Sequence, residues 1–382
     1  MVYALTHCTI YTGFEELHHS AVLIEGDRIL DVIPQADISP TCPQINLQGH
    51  LLTAGFIDLQ LNGCGGVMFN DDISLETVEI MHRTNLRSGT TSFLPTLITA
   101  PDEDMLKAIA VGQDCRRHYP YNVLGIHLEG PYLNPTRKGI HNGAYIRPPD
   151  ASMVAKIAQA GGDAVRLLTL APECVEPSVI RKLADRGVIV SAGHSEASYE
   201  QGRAGFAAGV AMVTHLFNAM TPWLGRSPGL VGATLGDRNV YAGIIADGQH
   251  VHFGSLELVQ RILQDRLILV TDATPPVGTD LTSFQIGGQE VFYRDGKCIS
   301  ADGTLGGSAL TLIEAVRNCV QHLDLPLAEA LRMASLYPAR LLGMDSELGV
   351  IAPSAIANLT VINQALEVVG VVDQGHWLAG VS

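Results

Sequence analysis

From Gly55 onward, short apolar runs alternate with amphipathic stretches. The runs are Phe56–Leu61, Thr91–Leu97, Val123–Leu128, Val165–Leu170, Val188–Ala192, Ala211–Leu216, Tyr241–Ala246 and Leu267–Val270. Continuous runs of this length suit strands buried on both faces, as in a parallel sheet. The segments between them carry a helical period, for example Asp150–Gly161 and Pro177–Gly187, the latter closing on a glycine stop signal. Eight strand–helix units in order predict a closed (β/α)8 TIM-type barrel, although an open doubly wound sheet has the same local texture. Both ends of the chain read differently. Tyr3–Ile10, Ser20–Glu25, Arg28–Ile33 and Gln44–Leu47 are short and β-prone, separated by turn residues such as Gly26-Asp27. Thr282–Ile299 alternates apolar and polar positions around Gly287-Gly288, which predicts a β-hairpin (near 282–299) in the last βα loop. Helices are expected at Ser308–His322 and Pro326–Met333, and Leu348 to Gly380 returns to short strands. The predicted organisation is a small β-sandwich domain built from both chain ends, 1–51 with 346–382, and a barrel over 52–345.

Composition fits that plan. The 382 residues are 47% hydrophobic and 16% charged, enough for a barrel of roughly 250 residues with a smaller appendage. A net charge of −15 and a pI near 5.3 repel nucleic acid and anionic lipid, so neither is an expected partner. An anionic substrate needs a local cluster of Arg, His and backbone N–H groups instead. The seven cysteines are scattered and contain no Cys-x-x-Cys pair, which predicts neither a disulfide framework nor a structural zinc cluster. Met1 to Tyr11 lacks a basic segment followed by an apolar run, and no apolar stretch is long enough for a bilayer. A cytoplasmic protein is expected.

The chemistry is concentrated where the strands end. In parallel barrels the C-terminal strand ends and the loops after them form the active face. Here the first strand carries Asp58, Gln60 and Asn62, the third His127 and Glu129, and the fifth ends in His194. The sixth ends in His215 with Asn218, the seventh in Asp247 and His250, and the eighth in Asp272. A single such residue is most simply a hydrogen-bonded core group, but six strand ends would be costly to keep polar in a dry interior without a use. Glu129, His194 and His215 suit one divalent metal with a position left for water, whose pKa would fall to about 7. The competing reading is that they bond only one another. Asp272 fits a general base and acid, or equally a turn cap. His141, Asn218, Ala219, Arg226 and His250 are candidate substrate readers, because Arg, His and backbone N–H groups are what a phosphate requires. Taken singly, each also reads as a solvated loop residue.

In their order along the chain these motifs resemble a family, the N-acetylglucosamine-6-phosphate deacetylases of the amidohydrolase superfamily. The carriers run from Ala54 to Gly63, through His127-Leu-Glu-Gly-Pro131, Ser191-Ala-Gly-His194 and Thr214-His-Leu-Phe-Asn-Ala-Met220. They continue in Gly225-Arg226-Ser-Pro-Gly229, Ile245-Ala-Asp-Gly-Gln-His250, Thr271-Asp-Ala-Thr274 and Leu305-Gly-Gly-Ser308. The first strand departs from the His-x-His of the wider superfamily: Asp58 and Gln60 stand at the equivalent positions, and an amide is a poor ligand, so one metal per subunit is implied. The resemblance implies hydrolysis of the acetamide of an N-acetylated amino-sugar 6-phosphate. Asp272 would accept the water's proton and pass it to the amine, and His141 would polarise the carbonyl. Substrate binding is implied for Ile140, His141, Asn218, Ala219, Arg226, Asp247 and His250, with Leu305, Gly306 and Gly307 bordering the acetyl end. Asp58, Gln60 and His127 would brace the ligands. The implied metal is Zn2+, with Fe2+, Co2+ or Mn2+ also accepted by such ligands. A homodimer or higher homo-oligomer is implied, with Arg226 serving its own site or the neighbouring subunit's. Two rivals remain at this stage: deacetylation of the galactosamine epimer, and a barrel that binds without catalysis.

Overall fold

In the computed structural model, which describes residues 2–380, each of the eight apolar runs becomes a strand of one parallel sheet. The strands are β1 (Phe56–Leu61), β2 (Thr90–Ile98), β3 (Ile126–Glu129), β4 (Val165–Leu170), β5 (Ile189–Ala192), β6 (Val210–Val213), β7 (Tyr241–Ile244) and β8 (Leu267–Leu269). Their order in the sheet is their order in the chain, which decides for the barrel over the doubly wound alternative. The sheet closes just past β8. Leu61 bridges Ala273 in parallel, Asp272 N–H donates to the Gln60 carbonyl at 2.9 Å, and Asn62 and Gly63 N–H groups donate to the Ala273 carbonyl at 2.9 and 3.0 Å. Every residue of β1 and β2 is buried, which is why their sequences are continuous rather than alternating.

Five strands are trimmed relative to their apolar runs, β5 and β8 by one residue and β3, β6 and β7 by two or three. β3 begins only after Gly125, whose φ of 120° interrupts the extended backbone. β6 stops at Val213 because the chain then leaves extended geometry: His215, Phe217 and Ala219 all have positive φ, at 29°, 81° and 50°. β7 likewise stops before Ile245. The predicted hairpin is a three-stranded antiparallel meander, Ser283–Ile286, Gln289–Arg294 and Lys297–Ser300. Its second turn is Asp295-Gly296, both at positive φ, the pairing that a two-residue hairpin turn requires.

Two further sheets contain the chain ends. The single strand expected over Tyr3–Ile10 breaks at His7, φ 55°, into Val2–Thr6 and Thr9–Tyr11, which join different sheets. One sheet has four strands; the other has six and unites both ends, with Leu359–Ile362 antiparallel to Leu51–Ala54. The described residues up to Asp58, together with His82–Ser92 and those from Leu312 onward, form one compact unit, and Leu59–Met81 with Phe93–Thr311 form the other. Among the described residues no helix is long and apolar enough to cross a membrane.

Candidate active site

The ends of β3, β5 and β6 bring three donor atoms to one point. Glu129 Oε1 lies 3.1 Å from His194 Nε2 and 3.1 Å from His215 Nε2, and the two Nε2 atoms are 3.1 Å apart. All three side chains are buried. His194 and His215 sit at positive φ, 48° and 29°, so each turns out of its strand to aim its ring across the barrel mouth. His194 Nδ1 donates to the Arg137 carbonyl at 2.9 Å, so in the neutral tautomer Nε2 is the nitrogen that carries the lone pair. Two imidazole nitrogens and a carboxylate oxygen at such spacing suit a cation: tetrahedral zinc with bonds near 2.0 Å separates its ligand atoms by about 3.3 Å. Burial opposes ionisation of Glu129, but the imidazoles of His194 and His215 outweigh it and hold the carboxyl well below the usual range. Burial likewise works against charge on His215, and the Glu129 contact overcomes it and raises the imidazole's pKa.

His141 also brings a ring nitrogen within 4.8 Å of the Glu129 and His194 donor atoms, but its chemistry differs. Its Nδ1 accepts the Thr99 backbone N–H at 3.3 Å and lies 2.8 Å from the Thr99 hydroxyl. Burial, then the neighbouring His194, push this imidazole well below its ordinary pKa. A neutral His141 with Nδ1 accepting must carry its proton on Nε2, which makes it a hydrogen-bond donor rather than a ligand.

Asp272 (φ 52°) closes the ring of strands. Its Oδ1 accepts from Asn62 Nδ2 at 2.6 Å and Gln60 Nε2 at 3.1 Å. The same Gln60 nitrogen donates to Glu129 Oε1 at 3.2 Å, so one amide spans the two carboxylates. An amide nitrogen offers protons and no lone pair, so Gln60 bridges the two carboxylates as a neutral donor. Burial, then the Glu129 charge, raise the Asp272 pKa to about 6; His215, His250 and the Asn62 hydrogen bond pull the other way.

These groups open on a cavity of about 430 Å³. Ile140, His141, Asn218, Ala219, His250, Leu305 and Gly307 line it as the sequence anticipates, together with Asn62, which the sequence marked only as a strand-end residue, and with Ile98, Thr136, Arg137, Gly139, Ile286, Gly303 and Thr304, to which it gave no role. Asn62 had a signal, standing two residues after Gln60 on a strand end. Arg137 had none, since it acts on His194 through its carbonyl. Gly306 packs under the meander, where an added Cβ would lie 2.9 Å from Val291. Asp247 does not line the cavity; it accepts His250 Nδ1–H at 2.6 Å and so orients that ring. Burial opposes ionisation of Asp247, and the His250 hydrogen bond still brings its pKa down. His127 lies deeper, its ring nitrogens 3.2 and 2.8 Å from the Thr96 and Thr169 hydroxyls, and burial lowers its pKa to about 4. Asp58 is buried on β1. Arg226 stands apart from the cavity. It is exposed on a two-residue turn between Leu224 and Ser227, whose backbones exchange hydrogen bonds of 3.0 Å, and Trp223 and Leu224 beside it are more than half exposed.

The amidohydrolase family matches residues 51–378, and the NagA composite domain matches residues 2–52. An N-acetylglucosamine-6-phosphate deacetylase of Haemophilus influenzae is 45% identical over 380 residues, 99% of each chain. An N-acetylgalactosamine-6-phosphate deacetylase of a Shewanella species is 39% identical over 344 residues, 88% of this chain and 84% of that one. The crystal structure of the N-acetylglucosamine-6-phosphate deacetylase from Pasteurella multocida superposes with a TM-score of 0.97 at 45% identity, covering 99% of this chain and 100% of that one. A Mycobacterium smegmatis deacetylase mutant solved with N-acetyl-D-glucosamine-6-phosphate does so with a TM-score of 0.91 at 31% identity, covering 98% and 99%. The chain is therefore a hydrolase of the amidohydrolase family and belongs among its N-acetylglucosamine-6-phosphate deacetylases.

Proposed function

We propose that this chain hydrolyses N-acetyl-D-glucosamine 6-phosphate to D-glucosamine 6-phosphate and acetate. The observation that carries the reading is the meeting of Glu129, His194 and His215 beside Asp272, in a chain that matches such deacetylases from end to end. All of these residues fall within the expected catalytic stretch, 52–345. Glu129, His194 and His215 would hold one divalent cation, Zn2+ by their donor set, and that cation would supply Lewis acidity at the cavity. Asp272, its Oδ1 tied by Asn62 and Gln60, accepts the water's proton and returns it to the sugar nitrogen as the C–N bond breaks. His141 donates Nε2–H to the carbonyl oxygen as negative charge develops there. His250, oriented by Asp247, holds the sugar phosphate with Asn218 and the Ala219 backbone. Leu305 and Gly307, packed through Gly306 under the meander, border the acetyl group beside Ile140. Arg226 reaches the phosphate in the neighbouring subunit of a homodimer, since in its own subunit it projects to solvent beside exposed Trp223 and Leu224. All seven cysteines are free, which fits the cytoplasm.

A second reading is favoured by the Shewanella relative at 39% identity: turnover of the galactosamine epimer. The test is acetate release from both 6-phosphates in parallel, after metal removal and reconstitution with Zn2+, Fe2+, Co2+ or Mn2+. Faster turnover of the gluco compound is expected. A strong preference for the galacto compound would reassign the substrate, and no acetate from either with any metal would reject deacetylation.

A further inference from the structure

Glu173 lies outside the ligand set, in the loop after β4, yet its carboxylate ties together the loops that aim His194. Oε1 accepts from Asn134 Nδ2 at 3.0 Å and from the Glu196 backbone N–H at 2.6 Å, and Oε2 accepts from the Ser195 hydroxyl at 2.7 Å. Each partner adjoins His194 by a separate route. Asn134 N–H donates to the His194 carbonyl at 2.9 Å. The Asn134 side chain caps the turn Pro135–Arg137 by accepting from Thr136 N–H at 3.0 Å, and that turn delivers the Arg137 carbonyl to His194 Nδ1. Ser195 follows His194 directly, and its backbone N–H donates to the Ala219 carbonyl at 3.0 Å, tying the same clamp to the loop that carries Asn218 and Ala219. Arg137 and Glu196 form an ion pair across the same two loops.

The backbone shows why a clamp is needed. His194 sits at φ 48°, a left-handed conformation that a non-glycine residue holds only when its surroundings impose it. Gly193, immediately before it, is packed so closely that an added Cβ would lie 2.8 and 2.9 Å from Thr169 and Thr214. One side of the turn is thus fixed by packing and the other by the Glu173 hydrogen bonds. The two N–H donors, from Asn134 and Glu196, require an oxygen at Oε1, and the Ser195 hydroxyl, which accepts the Ala197 N–H at 3.0 Å, gives its own proton to Oε2.

We propose that Glu173 is a positioning residue for the metal centre: through Asn134 and Ser195 it holds His194 Nε2 on the ligand point. The proposal rests on the metal reading above. The test uses full-length protein loaded with Co2+, whose visible absorption reports ligand geometry, with affinity measured by competition against a chromogenic chelator. Wild type, Glu173→Ala, Asn134→Ala and His194→Ala are compared. Wild type is expected to bind one equivalent and His194→Ala to lose it. Glu173→Ala and Asn134→Ala should bind Co2+ at least about tenfold more weakly, with altered absorption bands and unchanged far-UV circular dichroism. Should Glu173→Ala fail to fold, Asn134→Ala alone decides. Affinity and bands within twofold of wild type in whichever variants fold would overturn the positioning role while leaving the metal reading intact. A wild type without bound Co2+, or a His194→Ala that keeps a full equivalent, would sink the metal reading itself.

Discussion

Asp272 and Glu129 show how two buried carboxylates in one site are pushed apart. Glu129 is held ionised by its imidazole neighbours, whereas Asp272, facing that charge, is raised to about 6. One is suited to bind a cation and the other to exchange a proton near neutrality. Asp272 works as a base only when ionised, so kcat/KM should fall as pH drops through about 6, by about tenfold per unit below the break. A cation on the three ligands favours the carboxylate and can only move that break lower. A break found above pH 7 in the metal-loaded enzyme would assign the limb to another group. Asp272→Asn should keep its metal and lose turnover by about two orders of magnitude or more; near-normal turnover would remove Asp272 from the mechanism. His215→Ala should release the metal, as read by metal analysis after dialysis. Retention of a full equivalent would count against its place among the ligands.

At the level of elements, the strands were legible because burial on both faces leaves unbroken apolar runs, and β1 and β4 match theirs at both ends. What was not legible is how the strands finish. The left-handed turns at His194, His215 and Asp272 cost strain that the surrounding hydrogen bonds impose, and no local propensity announces them. The third strand of the meander was written in Asp295-Gly296 and overlooked. The loop after the meander supports the site through Gly307, φ 72°, where an added Cβ would meet the Asp272 carbonyl at 2.7 Å and Thr274 at 2.5 Å. Gly307→Ala should therefore shift the Asp272 backbone, costing about 1–3 kcal/mol and most of the activity. Gly296→Ala is the control: its φ is 75° but nothing lies within 4 Å of an added Cβ, so it should lose some stability and retain turnover. Equal loss of activity in both variants would show that backbone strain alone, and not the Asp272 contact, matters.

At the level of the whole molecule, the position of Arg226 makes assembly a functional question. Mixing Arg226→Ala with Asp272→Asn protein under subunit-exchange conditions should restore activity on the phosphorylated sugar, because a mixed dimer has one site with Asp272 intact and Arg226 supplied by its partner. No recovery, with mixed dimers verified by mass, would place Arg226 in its own subunit's site or in none. The order of strands, the ends of the strands that carry ionisable residues, and the resemblance to deacetylases were all determined by the sequence, because apolar period and residue type are local properties. Tertiary structure alone decided the rest. It closed the barrel through Leu61 and Ala273, brought three atoms from strands far apart in sequence to 3.1 Å, and put the His141 proton on Nε2 by way of the Thr99 amide. It also placed Glu173 behind His194 although no motif marks it. Ligand geometry and proton position depend on distances and hydrogen-bond partners between distant segments, and those exist only once the chain has folded.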